Sequence, residues 1–138
     1  MPPSFMIYPV FVQVALTFVL LFAMGRSRAH AFKAAKLKFA DMRLGEDVWP
    51  QKTKQIGNAF HNQLELPILF YTAVLFAIAL NRTDWVFFGL ACFFSVSRIF
   101  HALVHTGSNN VVRRRSIYAL GALAILAMWI WLLVKTAV

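Results

Sequence analysis

The stretch Asn58-Ala59-Phe60-His61-Asn62-Gln63-Leu64-Glu65-Leu66-Pro67 decides how this chain is read. It leads into a long apolar run and holds Glu65, the one acidic residue inside a segment otherwise suited to hydrocarbon. A carboxylate at that depth costs about 3 kcal/mol unless it has a partner or a task. On a helix Asn58, His61, Asn62 and Glu65 follow an i, i+3, i+4, i+7 spacing and share one face, which predicts a polar stripe turned toward protein. Pro67 has no N–H and crowds the carbonyl of Gln63, so a bend or a freed acceptor is predicted beside the acid. In a membrane helix such a break survives only where neighbouring groups satisfy it.

Outward from that stretch, four apolar blocks stand out: Tyr8 to Met24, Leu66 to Leu80, Trp85 to Val104 and Ile117 to Val134. Each reaches, with its flanks, the ~20 residues a helix needs to cross hydrocarbon. A soluble bundle would give each helix a polar outer face, and these blocks are apolar almost all round. With 138 residues, 60% of them hydrophobic, the fold class is an all-α integral membrane protein, a four-transmembrane-helix bundle forming a single domain over 1–138. Met1 to Phe5 carry no basic residue ahead of the first block, so that block is expected to be a retained helix and not a cleaved signal. The single cysteine, Cys92, is read as a small buried hydrophobe.

The net charge of +9 is concentrated. Arg26, Arg28, Lys33, Lys36, Lys38, Arg43, Lys52 and Lys54 lie between the first two helices, and Arg113, Arg114 and Arg115 precede the fourth. The opposite ends carry only Arg82 and Lys135. The positive-inside rule puts both basic loops in the cytoplasm and both termini on the other side. Nothing resembles a nucleic-acid reading helix or stacking platform, so no nucleic-acid partner is expected. Attraction to anionic headgroups of membrane lipids accounts for the charge. A compact chain without a retention signal leans toward a bacterial inner membrane over the endoplasmic reticulum.

Along the chain, Gln13 and Thr17 read as interhelical hydrogen-bonding groups, and Arg26 by itself as a snorkelling anchor. Ala29 to Lys38 alternates basic and apolar residues as a surface-lying extension would. Arg43 to Gln51 is a returning loop, with Trp49 at headgroup level. The second helix is expected to run from Thr53 to Leu80, and Asn81 to Asp84 to close a hairpin. In the third helix Arg98, His101 and His105 share a stripe at i, i+3 and i+7. In the fourth, Tyr118 stands one turn beyond Arg114. The stripes are expected to meet, placing Glu65, Arg98, His101, Arg114 and Tyr118 in one layer with Arg98 as countercharge to Glu65. The surplus of cations predicts a pocket for an anionic ligand. His101 and His105 have only Glu65 as a third ligand, so no metal site is expected. Ser95, Ser97 and Ser116 lack a nucleophile-elbow setting.

Asn62-x-x-Glu65 followed by Pro67, Arg98-x-x-His101, and the basic start of the fourth helix with Tyr118 together resemble the membrane-associated proteins in eicosanoid and glutathione metabolism, the MAPEG family. The resemblance covers nearly the whole chain, including the long basic first loop. It implies a homotrimer, with glutathione as cosubstrate between neighbouring subunits near the cytoplasmic side and a lipophilic molecule or lipid arriving from the bilayer. Asn62, Glu65, Arg98, His101, Arg114 and Tyr118 match family glutathione-site positions, and Arg26 matches an arginine that meets the ligand from the adjacent subunit. His61 stands where glutathione-binding members often have arginine, His105 where tyrosine is common, and Arg115 where one branch has serine. With Asn58 from the polar stripe, and Arg115 apart, these residues form the expected binding set. Arg114, Arg115 and Tyr118 are the expected catalytic groups, a guanidinium favouring the thiolate and the Tyr118 hydroxyl orienting the sulfur.

The implied activity is that of a glutathione-dependent transferase or peroxidase acting on lipophilic electrophiles or lipid hydroperoxides. Two other classes compete: a non-catalytic member binding lipid or a partner protein in the same groove, and a small transporter or channel subunit using the ionisable residues as a path.

Overall fold

The computed structural model describes residues 1–34, 36 and 48–137. A short 3-10 turn, Pro3–Met6, runs into α1 (Ile7–Ala34). After the loop come α2 (Gln51–His61), a 3-10 turn (Asn62–Leu64), α3 (Leu66–Ala79), α4 (Trp85–Thr106) and α5 (Val111–Ala137). Of the expected surface-lying extension, residues 29–34 continue α1. Residues 35 and 37–47, including most of the expected returning loop, lie outside the described residues.

Among the described residues, four helical segments are long and apolar enough to cross a membrane: Pro3–Ala34, Gln51–Ala79, Trp85–Thr106 and Val111–Ala137. Large apolar side chains such as Phe11, Phe22, Leu75, Phe100, Leu123 and Leu133 stand exposed along them. That is the surface lipid calls for and water would penalise. The architecture is a four-helix membrane bundle.

α1 packs on α2 and α4, and α5 on α3 and α4. The main core is aromatic and small by turns: Phe70, Ala73, Val74 and Ala77 of α3 meet Phe87, Ala91 and Phe94 of α4 and Ala124, Ile125 and Met128 of α5. Phe70 and Phe94 stack at 4.7 Å. Lipid tails are as apolar as leucine, so close packing and polar contacts hold such helices together. Gly121 shows how close the approach is, since a Cβ there would lie 2.9 Å from Ser97 Oγ.

The second helix is not continuous, which corrects the expected Thr53 to Leu80 span. α2 tightens into the 3-10 turn, the chain breaks at Glu65 (φ −99°, ψ −99°), and α3 restarts with Pro67 in its first turn. Proline favours that position because its missing N–H would have no partner there anyway. The bend predicted from Pro67 is therefore present, sharpened into a break.

At the end opposite the basic loops, Asp84 caps α4 by accepting from the Phe87 N–H at 2.9 Å. Its carboxylate also accepts from Trp131 Nε1 at 3.0 Å and pairs with Lys135 at 3.6 Å. Partial burial pushes the carboxyl upward. The hydrogen bonds from Phe87 and Trp131 and the charge of Lys135 outweigh it and hold the group below its ordinary value of 3.8.

Candidate functional site

Arg98 is the centre of the polar layer. It reaches inward from α4 with no exposed surface, and its Nη2 donates to the backbone carbonyl of Asn62 at 2.9 Å. In an unbroken helix that carbonyl would accept from residue 66. The break frees it, and the arginine takes it. The guanidinium also lies over the Tyr118 ring, 5.6 Å from its centroid. Arg98 Nε and Nη1 are buried with no hydrogen-bond partner among the described residues.

One turn along α4, His101 stacks on His105 with ring centroids 5.6 Å apart and an interplanar angle of 22°, and it meets the Tyr118 ring at 5.7 Å. The Nδ1 atoms of both histidines are buried without partners among the described residues. Four unpartnered nitrogens in one layer are unusual, because buried polar groups are nearly always satisfied.

The α4–α5 turn supplies the next cation. Asn109 adopts a left-handed conformation (φ 50°), which asparagine tolerates better than most residues, and its Oδ1 accepts from Arg114 Nη1 at 2.7 Å. Gln55 Nε2 donates to the His105 carbonyl at 2.5 Å, and Lys52 Nζ to that of Thr106, tying the start of α2 to the end of α4. These elements enclose a cleft of about 280 Å³ lined by Asn62, His101, Val111, Arg114, Arg115 and Tyr118. Its lining holds two guanidiniums and no carboxylate. Chemically it suits a planar anion, which arginine forks grip through paired charge-assisted bonds.

The structure thus brings together Asn62, Arg98, His101, His105, Arg114, Arg115 and Tyr118. It leaves Arg26, Asn58, His61 and Glu65 exposed on the outer surface of the single chain. Glu65 makes no ion pair among the described residues, and its charge reaches Arg98 only through space. The expected ion pair with Arg98 is replaced by the Asn62 carbonyl, since the break at Glu65 turns that acceptor into the layer. Asn58 contributes its carbonyl to Asn62 Nδ2 at 3.0 Å. Sequence reasoning missed Asn109 and Gln55. The Gly107-Ser108-Asn109-Asn110 run is made of turn-forming residues, but nothing local says that its asparagine would hold an arginine five residues on.

The model of the MAPEG family matches residues 6–134. This chain belongs to the MAPEG family. Neither a curated protein nor a solved structure matches it. MAPEG proteins include glutathione transferases and peroxidases and are in general associated with glutathione. Family and helices together make the chain an integral, multi-pass membrane protein with the MAPEG four-helix bundle.

Proposed function

We propose that this MAPEG protein is a glutathione-dependent membrane transferase or peroxidase for lipophilic electrophiles or lipid hydroperoxides, working at a site completed by a second copy of the chain in a homotrimer. The observation that carries the reading is Arg98, a fully buried guanidinium with Nε and Nη1 unpartnered among the described residues. Desolvating a cation is costly, and leaving it uncompensated costs more. An anionic ligand group is the compensation that the chemistry of the layer invites. The cleft, at about 280 Å³, falls just below the ~300–1,000 Å³ typical of small-molecule sites. Asn58, His61 and Glu65 form an exposed polar stripe within a candidate span. Such groups are rarely turned to lipid. A neighbouring copy that covers them and contributes its Arg26 enlarges the cleft, and Glu65 receives the ammonium group of glutathione.

In this reading Arg98 and Arg114, with a neighbour's Arg26, hold the carboxylates of glutathione. A guanidinium of Arg114, or Arg115 beside it, lowers the thiol pKa and favours the thiolate at neutral pH. Tyr118 orients the sulfur through its hydroxyl. In conjugation the thiolate forms a C–S bond with the electrophilic carbon, the leaving group departs with its electron pair, and the thiol proton passes to solvent. In peroxide reduction the thiolate attacks a peroxide oxygen and the O–O bond breaks. The alkoxide takes up a proton to become an alcohol, and a second glutathione converts the sulfenic acid to a disulfide and water. The basic loops face the cytoplasm and the termini the opposite side, and a bacterial inner membrane is the host.

The test is glutathione-dependent turnover of a generic electrophile and of a lipid hydroperoxide by the purified protein. Arg114→Ala is expected to lose on the order of 10²-fold, as loss of one charge-stabilising donor does elsewhere. If glutathione neither binds nor supports turnover while a lipid copurifies, the non-catalytic reading replaces this one.

A further inference from the structure

Helix α1 carries two buried or half-buried polar residues one turn apart, and both engage the broken helix. Gln13, fully buried, donates from Nε2 to Gln63 Oε1 at 2.7 Å. Gln63, 2% exposed, lies inside the 3-10 turn and donates in turn to the Ala59 carbonyl at 3.3 Å. Thr17 donates to the Gln13 carbonyl at 2.9 Å. Beyond the break, the Tyr71 hydroxyl interacts with the Thr17 side chain. α1 therefore holds the broken helix on both sides of Glu65. A burial-driven contact would not need two amides there; hydrogen-bonded polar side chains fix a register in a way that greasy contacts do not.

Gln63 follows directly on Asn62, whose carbonyl is the hydrogen-bond partner of the buried Arg98. We infer that the Gln13–Gln63 clasp is a positioning device: it holds the 3-10 turn so that the Asn62 carbonyl faces Arg98, and so sets the orientation in which Arg98 offers its two remaining nitrogens to the ligand. This rests on the glutathione reading for the identity of the ligand, but not for the geometry. Neither glutamine lines the cleft, and neither touches the reacting atoms.

Gln13→Met and Gln63→Met, singly and together, remove the clasp while keeping side-chain length. Each single variant is expected to raise the glutathione concentration for half-saturation about tenfold, the scale of one hydrogen bond to a charged group. Maximal turnover should stay within about twofold of the parent, and the double variant should be no worse than either single, as members of one unit behave. A second readout needs no glutathione: the side-chain ¹⁵N signal of Arg98, assigned by its loss in Arg98→Lys, should move in all three variants. An unmoved Arg98 signal in folded Gln63→Met overturns the proposal, as does a loss of turnover with unchanged half-saturation. Should Gln63→Met fail to fold, Gln13→Met, which leaves the turn's own residue in place, decides by the same two readouts. If the parent protein does not bind glutathione and the Arg98 signal still moves, the clasp stands and the glutathione reading falls.

Discussion

Arg98 concentrates the physical problem of this molecule in one side chain. A guanidinium does not shed its proton when buried, so its surroundings must supply acceptors. The chain supplies the Asn62 carbonyl and the face of Tyr118. Arg98→Leu removes the buried charge and its binding function together. The expected outcome is a protein that keeps most of its thermal stability, because the desolvation cost vanishes with the charge, yet no longer binds glutathione by calorimetry. Wild-type affinity in that variant would refute the assignment. Gly121 poses a steric problem of the same size. Its missing Cβ leaves room for Ser97 Oγ, which donates to the Phe94 carbonyl at 2.7 Å. Gly121→Ala is expected to destabilise by about 1–3 kcal/mol through overpacking. Adding Ser97→Ala should recover part of that loss, as read from the thermal midpoints of the two variants.

At the scale of elements, the broken helix sets the site and the α4 cap secures the far end. Pro67→Ala restores an N–H that can reach the Gln63 carbonyl and lets the turn relax into a continuous helix. The Asn62 carbonyl then returns to its own helix and Arg98 loses its partner. Slower amide exchange at Leu66 and a protected new amide at position 67, together with weaker glutathione binding, is the expected pair of results. Unchanged exchange would show that the 3-10 turn does not depend on the proline. The cap at Asp84 is titratable. Its carboxyl sits lower in the fold than the ordinary 3.8, so the stability it gives is present above that ordinary value and is lost as pH falls through the lowered one. Thermal midpoints measured across that acid range should fall less steeply in Asp84→Asn than in the parent. An identical slope would remove Asp84 from the account.

At the scale of the whole molecule, a polar stripe of Asn58, His61 and Glu65 faces outward from a span, and the proposal assigns its cover to another copy. Arg26→Ala and Arg114→Ala should each lower turnover on the order of 10²-fold alone, while co-expressed mixtures should regain part of it, because some interfaces then pair two intact arginines. No recovery in mixed assemblies would mean that each subunit works with its own Arg26 or without it.

Hydrocarbon tolerates few polar groups, so the four spans, the bend beside Pro67 and the stripe of Arg98, His101 and His105 were legible from residue type and spacing. A layer of Glu65, Arg98, His101, Arg114 and Tyr118 was expected for the same reason, since cations within spans have few places to go; the structure has the Asn62 carbonyl, not Glu65, beside Arg98. What spacing does not carry is the direction in which a chain turns once a helix is interrupted. Glu65 follows the break outward, the Asn62 carbonyl follows it inward, and the partner expected to be a carboxylate is a backbone oxygen. Asn109 and the Gln13–Gln63 clasp belong with these, because contacts between distant positions exist only once the helices are packed. Residue type and order determined the membrane bundle and its polar layer; three-dimensional packing alone decided which oxygen each buried cation meets, because hydrogen bonds depend on geometry that periodicity does not contain.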